Sequence, residues 1–519
     1  MPITRSYLAD HAIALRDKPA VVDDRPGAPV TVWSFAELNR QANRLANLFL
    51  GLGVEPGEKV IWCGQNSLDA IRAIHALPKV GAVAVPLNYR LTAEETAYVV
   101  DNSDAVAVYV DAEHAGLFAR IAPAIRRVRH LIVFGGRPGP GMLSAEALLA
   151  RARDTEPEVD IPAGTPSTML YTSGTTGRPK GAVRLPIDPA HTRPLLELVG
   201  HRPDDIYITT GPLYHSGPLG YLAINHRMGG TAILQRRFDP EDWLRLVAKY
   251  RVSTTFSAPT PIRLVCALPE EVKKRYDVRS MKRMIANAAP WSMTLKEAYM
   301  RDFGEDSLWE VYGSTELGVD TVLAPPDHRR KPGSCGRAVP GVEIRLYDES
   351  GAEVTEPAVP GEVFVRSVNV FEAYYKAEDK TAATRRAGFA TVGDIAYRDA
   401  DGFYYICDRK SDMIISGGMN IYPAEIEAAM ERHPDVADVA VFGIPSEEWG
   451  ESVHAVVVPR AGSSLDPDEL VAFARERLAG YKIPRSVSFV AEIPRNGSGK
   501  ILKRTLREPF WQGRRARVS

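Results

Sequence analysis

Helical and strand patterns alternate along this chain, and that alternation limits its fold more than any other feature. Ser34 and Glu37 stand at capping-box spacing, Leu38, Ala42, Leu45 and Phe49 then recur on one helical face, and Gly51 closes the run. The pattern predicts strands at Val60 to Cys63, Ala82 to Val85, Val106 to Val110 and Leu131 to Phe134, a helix from about Ser67 to Val80, and a second capping box at Thr92 and Glu95. Strands and helices in alternation bury a mostly parallel, doubly wound sheet. The same texture returns at Ile206 to Thr209, Thr231 to Leu234 and Thr254 to Phe256, which predicts a second sheet of the same kind.

From Pro332 to Arg409 the chain turns to Gly, Pro and short alternating runs at Val342 to Leu346, Glu362 to Val365 and Phe403 to Ile406, the pattern of an antiparallel β subdomain. Beyond Ser411 it changes again. A helix is expected at Pro423 to His433, strands at Val436 to Gly443 and Ser452 to Val458, a helix at Pro467 to Leu478 and a strand at Ser486 to Val490. At 519 residues the chain exceeds what one core supports. The expected fold class is therefore α/β: a large N-terminal domain (1–410) of two doubly wound α/β sheets plus a small β subdomain, then a small mobile α+β C-terminal domain (411–519). The stretch 184–196, with three prolines, reads as a surface loop.

Lysine and arginine (64) balance aspartate and glutamate (65), so no global field points to nucleic acid or an anionic membrane. Cys63, Cys266, Cys335 and Cys407 form no C-x-x-C pair, which argues against a zinc site or a disulfide framework. The N-terminus lacks a signal pattern and no apolar run approaches the roughly 18 residues of a membrane span, so the expected location is cytoplasmic. The arginines between Arg504 and Ser519 read as a solvated tail, and a homodimer is allowed.

The chemistry begins at Tyr171-Thr-Ser-Gly-Thr-Thr-Gly-Arg-Pro-Lys-Gly181, directly after the apolar strand end Ser167 to Leu170. Thr172, Ser173, Thr175 and Thr176 supply hydroxyl donors, Gly174 and Gly177 permit the turn, and Lys180 adds a cation, a composition suited to polyphosphate. A Walker loop is excluded, because Lys180 lies between Pro179 and Gly181. Gly497-Ser-Gly-Lys500 fails the same test at Pro494.

Four further segments follow in order: Pro212-Leu-Tyr-His-Ser-Gly217, Tyr312-Gly-Ser-Thr-Glu316, Thr391-Val-Gly-Asp394 with Asp408-Arg-Lys410, and Pro494-Arg-Asn-Gly-Ser-Gly-Lys500. With the phosphate loop, they make the chain resemble the adenylate-forming superfamily of acyl-CoA synthetases, luciferases and peptide-synthetase adenylation domains, from about residue 30 to residue 505. The resemblance implies that a carboxylate attacks the α-phosphate of ATP, pyrophosphate leaves, and the acyl group then passes from AMP to a thiol. Two anions must meet in the first step, so cations and donors have to face the developing charge.

By resemblance, Thr172 to Thr176 and Lys180 would hold the β- and γ-phosphates, and Thr175 and Glu316 would ligate Mg²⁺. Asp394 would bind the ribose hydroxyls with Arg409 beside it. Tyr312 would lie against adenine, with Gly313, Ser314 and Thr315 nearby and Asn287-Ala288-Ala289-Pro290 as the opposite edge, where the family more often has Gly-Gly-Ala-Pro. Lys500 would bridge the carboxylate and the α-phosphate. His215 would close an acyl pocket shared with Gly217, Tyr221, Ala288, Gly313 and Gly318; Gly217, Gly220, Ala288 and Gly318 would leave room, while Tyr221 and Trp291 would close a tunnel or stack on a ring.

The second half-reaction implies rotation about Ser411, where aspartate or lysine is more usual, with Gly417 and Gly418 entering the thiol channel and Trp449 meeting the coenzyme A nucleotide. His215's segment lacks the aspartate that grips an α-amino group, which favours a plain carboxylic acid. The expected function is an ATP-dependent acid:CoA ligase, with a fatty acid preferred on the base rate of such relatives. The alternatives are an aromatic or alicyclic acid, a carrier-protein-loading ligase, and a catalytically dead nucleotide sensor.

Overall fold

The computed structural model describes residues 6–172, 178–417, 419–495 and 500–512. Strands Lys59–Cys63, Val83–Leu87, Ala105–Asp111 and His130–Phe134 pair in parallel, and Thr168–Thr172 joins Val83–Leu87 in the same sense. Lys180–Arg184 turns back antiparallel to Thr168–Thr172, and the full sheet has eight strands. Its central strands are buried on both faces, which is why they read as unbroken apolar runs rather than alternating ones.

The second sheet has nine strands. Ile206–Thr209, Thr231–Leu234, Thr254–Ser257, Arg283–Ala286 and Leu308–Ser314 form its parallel centre. Gly318–Leu323 pairs antiparallel at one side, and at the other Pro19–Asp23 adds a parallel strand from the N-terminus that the sequence pattern did not suggest. A six-stranded β subdomain and a five-stranded sheet near the C-terminus complete the architecture, in agreement with the expected α/β class and small C-terminal unit.

Local chemistry sets most boundaries. Ser34 accepts the N–H of Glu37 at the start of helix Phe35–Gly51, but Glu37 turns its carboxylate to Arg40 and Gln41, so that capping box is only half formed. Thr92 and Glu95 form the complete reciprocal pair. The stretch expected as a loop over 184–196 is instead largely helical: Pro189–Val199 is a helix, capped by Asp188 with Pro189 in the first turn. Pro189 costs nothing there because its N–H would have had no partner, although Pro194 does remove one internal hydrogen bond.

Helices Leu68–Lys79 and Ser216–Arg227 meet through a buried relay. His226 Nε2 lies 3.1 Å from the Ala20 carbonyl, His75 Nε2 lies 2.9 Å from His226 Nδ1, and Tyr7 O–H reaches His75 Nδ1 at 3.3 Å. One set of neutral tautomers satisfies every partner: His226 donates to the carbonyl, His75 to His226, and Tyr7 to His75. Burial holds both rings below the ordinary histidine range, His226 at about 4, with His226 and Lys79 adding to the effect on His75 and His11 to that on His226.

A folded-state pKa below the unfolded value means that this contribution is complete above pH 6.5 and is lost as pH falls toward 4. Thermal melts should therefore fall across that window, by on the order of 3 kcal/mol from His226 alone, and His226→Asn should flatten the dependence. An unchanged slope in the variant would remove the relay as its cause.

Candidate functional site

The C-terminal ends of both parallel sheets and the β subdomain converge on one cavity of about 2980 Å³. A single small-molecule pocket is usually about 300–1,000 Å³, so this space holds more than one substrate region. Thr172, Lys180, His215, Glu316, Arg409 and Lys500 all line it.

Glu316 is buried just beyond the end of strand Leu308–Ser314, where Ser314 accepts the Leu317 N–H, so it caps no helix. Thr172 Oγ1 and Tyr374 O–H both donate to its Oε1 at 3.0 Å. Lys180 Nζ lies 4.9 Å from the Tyr374 ring centroid, and burial lowers its pKa. This is an oxygen donor set with a cation at its edge; among the described residues there is no cluster of three His, Cys, Asp or Glu. Ser173, Gly174, Thr175, Thr176 and Gly177 lie outside the described residues.

Asp394 and Arg409 face each other across an antiparallel register, and Arg409 Nε stands 3.2 Å from Asp394 Oδ1. Tyr312 O–H donates to Asp394 Oδ2 at 2.7 Å. Burial, with the Asp394 charge behind it, raises the Tyr312 pKa far above the ordinary phenol range. Lys500 faces the same group: burial first and the Arg409 charge second bring its pKa down to about 8, against the pull of Asp394 and Asp412. A carboxylate, a guanidinium and an ammonium therefore converge, with Arg409 and Lys500 on the cavity wall and Asp394 and Tyr312 behind it rather than lining it.

The candidate acyl residues other than Trp291 line the cavity, yet the glycines serve different ends. A Cβ on Gly217 would fall 2.3 Å from Phe256 Cζ, and one on Gly313 would fall 1.9 Å from the Gly318 carbonyl oxygen. At Gly318 the obstacle is Asn369, 2.7 Å away. These positions allow close packing rather than leaving room; Gly220 alone among the acyl glycines faces open space. Tyr221 stacks on Phe256 with centroids 5.2 Å apart, giving the wall an aromatic face. Trp291 is 5% exposed inside the core of the second sheet with Met284 and Leu295, so it neither closes a tunnel nor stacks on a substrate ring. Ala289 does not line the cavity, whereas Asn287 and Ala288 do.

His215 occupies the N-cap position of helix Ser216–Arg227, 4.3 Å from the Tyr214 ring, and Ser216 bonds Thr315 at 2.9 Å. Gly417 and Trp449 are packed on one another, with a Gly417 Cβ position 2.7 Å from Trp449 Cε3, and neither lines the cavity. The Ser411 carbonyl accepts from Arg507 at 3.5 Å, and Gly418 lies outside the described residues. The structure thus brings Lys500 to the cavity and leaves Gly417 and Trp449 away from it.

Two residues escaped the sequence reading. Tyr374 holds Glu316, and the half-buried Arg184 donates to the carbonyls of Thr315 and, at 2.7 Å, Asn369. The paired tyrosines Tyr374–Tyr375 were a usable signal; Arg184, just past the phosphate loop, offered none. Ala288 carries φ +72°, a left-handed conformation that costs an alanine about 1 kcal/mol. Ala288→Gly should therefore raise stability by about 1 kcal/mol in denaturant titration, and an unchanged midpoint would mean that the loop relaxes at no cost.

The sequence profile of the AMP-binding enzyme family matches residues 8–375, and that of the AMP-binding enzyme C-terminal domain matches residues 425–500. A feruloyl-CoA synthase of Amycolatopsis sp is 36% identical over 517 residues, covering 98% of both chains. An indoleacetate–CoA ligase of Aromatoleum aromaticum is 34% identical, covering 92% of each. A long-chain-fatty-acid–CoA ligase also matches, at 32%. The crystal structure of ATP-bound MatB from Rhodopseudomonas palustris superposes with a TM-score of 0.87 at 30% identity, over 97% of this chain and 98% of that one. This chain belongs to the AMP-binding enzyme family and is an AMP-forming acid–CoA ligase.

Proposed function

We propose that this ligase activates an aryl carboxylic acid. The observation that carries this reading is the stacked Tyr221–Phe256 pair on the cavity wall beside His215, a flat aromatic face against which a ring packs. The two more similar relatives, named for feruloyl and indoleacetate, support it. The fatty-acid preference drawn from base rates has less behind it.

In this reading the chain divides near residues 410 and 411. Asp394 accepts the ribose hydroxyls, Arg409 adds a donor beside it, and Tyr312 orients the carboxylate and borders the adenine with Asn287, Ala288 and Gly313 to Thr315. Thr172 and Lys180 face the outer phosphates. Glu316, the nearest carboxylate, would hold Mg²⁺, which when bound supplies charge neutralisation on the phosphates. Lys500 places an ammonium between the two anions that must meet, where a preorganised charge is worth most. His215 and Tyr221 shape the acyl end. Arg90, Arg236 and Arg237 rim another side of the cavity and give a cationic approach for the phosphates of coenzyme A. Rotation about Ser411 would then exchange Lys500 for Gly417, Gly418 and Trp449.

Incubation with ATP, Mg²⁺, coenzyme A and a panel of aryl, alicyclic and fatty acids, with products identified by mass, should give aryl-CoA first. Fatty acyl-CoA alone would overturn the aryl reading, and acyl-AMP without a thioester would indicate a carrier protein as acceptor. Lys500→Ala should cut acyl-AMP formation by about 100-fold or more while sparing thioester formation from supplied acyl-AMP; equal loss of both steps would sink this division of labour. The pH dependence has a definite sign: Lys500 is charged below about 8, so kcat/KM for adenylation should decline as pH rises through that value, and the thioester step should not follow it.

A further inference from the structure

A short ladder fastens the β subdomain to the strand that carries Lys180. Ala373–Tyr374 pairs antiparallel with Lys180–Arg184, Tyr374 opposite Ala182, and the Tyr375 N–H donates to the Gly181 carbonyl at 2.8 Å. The chain therefore runs toward Lys180 as it leaves Tyr374, and it turns there into the helix Glu378–Ala383. Two bonds tie that helix back to the ladder: the Tyr374 N–H donates to Thr381 Oγ1 at 2.9 Å, and the Ala377 N–H donates to the Tyr374 carbonyl at 3.2 Å. Tyr374 is also the residue whose hydroxyl donates to Glu316 and whose ring faces Lys180 Nζ. The helix, the carboxylate and the lysine thus share one anchor.

One face of this helix is turned to the cavity. Lys380, Ala383 and the C-cap residue Thr384 line it, at the three- and four-residue spacing of a single helix face, together with Pro179, Lys180 and Tyr374. Lys380 is exposed, yet its charge reaches Lys180: burial first and Lys380 second lower the Lys180 pKa, against the pull of Glu316. Neither ammonium takes part in an ion pair among the described residues. Two like charges that face one cavity repel each other, and a polyanion between them turns that repulsion into attraction.

Resting on the placement of the outer phosphates proposed above, we propose that Lys380 is a second cation for the β- and γ-phosphates of ATP and for the pyrophosphate that leaves, paired with Lys180 through the Tyr374 anchor. In adenylation a carboxylate oxygen forms a bond to the α-phosphorus, and the bond from that phosphorus to the oxygen shared with the β-phosphate breaks. The departing pyrophosphate keeps the electron pair and gains a full charge. Lys180, half-buried, meets that charge from within, and Lys380 meets it at the exposed edge, where the anion passes to solvent. A compact ammonium on a flexible stem suits this task, because it follows the anion as it moves. The AMP and acyl parts of the substrate lie away from Lys380 in this arrangement, so they should not sense its loss.

The test titrates the full chain with MgATP, magnesium pyrophosphate and AMP by calorimetry, with melting temperatures as the check on folding. Alanine has the better helix propensity at this exposed position, so the fold is not at issue. Lys380→Ala should weaken MgATP and pyrophosphate binding about three- to tenfold and leave AMP within about twofold. Lys380→Glu should weaken the first two further, Lys380→Arg should restore them, and the difference between wild type and Lys380→Ala should shrink in about 1 M salt. With substrates present, the same loss should appear as a raised KM for ATP and weaker inhibition by pyrophosphate. Lys180→Ala separates the two readings. If it weakens MgATP binding while Lys380→Ala and Lys380→Glu do not, Lys380 falls and the phosphate placement stands. If Lys380→Ala weakens binding and Lys180→Ala does not, Lys380 stands and the placement at Lys180 falls. An equal loss of AMP binding in Lys380→Ala would mark a structural role and overturn the proposal.

Discussion

Much of the candidate site's geometry hangs on one antiparallel pairing, Asp394 against Arg409, at the edge of the β subdomain. It sets a carboxylate beside a guanidinium, gives the Tyr312 hydroxyl its partner, and fixes the point that Lys500 approaches. Three segments of chain meet at that point: the second α/β sheet, the β subdomain and the C-terminal module. Charge is confined to a small buried region, so each group shapes its neighbours. Burial first and the Arg409 charge second bring Lys500 down to about 8, and burial with the Asp394 charge raises the Tyr312 phenol well above its ordinary range.

Around that point, two mixed sheets offer their strand ends to one cavity, and helices packed between the sheets continue it backwards. The same helices that carry the buried His75–His226 relay, Leu68–Lys79 and Ser216–Arg227, also contribute residues to the cavity lining. Dense contacts such as Gly217 against Phe256 and Gly313 against Gly318 lie at the front of the cavity, where substrate atoms must be held still, and open space at Gly220 lies behind them.

Features governed by near neighbours were legible in the sequence. Strands such as Ile206–Thr209 and Thr231–Leu234 fall where the apolar runs placed them, and Thr92 with Glu95 forms the expected capping box. Where a local signal had rivals, the reading erred. Three prolines suggested a loop over 184–196, but one of them sits where a helix needs no N–H, and the helix forms. Glycines were read as empty space, yet whether a missing side chain leaves a gap depends on residues far along the chain: Phe256 for Gly217, Asn369 for Gly318. Trp291 looked like a pocket residue by its position in the chain and proved to belong to the core.

The sequence by itself determined the chemistry available: the hydroxyl-rich loop, the lysines, the buried-strand periodicity and the order of the motifs, all of which depend on residues close together in the chain. Tertiary structure alone decided which of those groups meet. Tyr312 reaches Asp394 across 82 positions and Tyr374 reaches Glu316 across 58, and no local pattern encodes either contact. The depth of the cavity behind His215 was settled at the same level, because it arises from the faces that separate helices and strands turn toward one another when the two sheets pack.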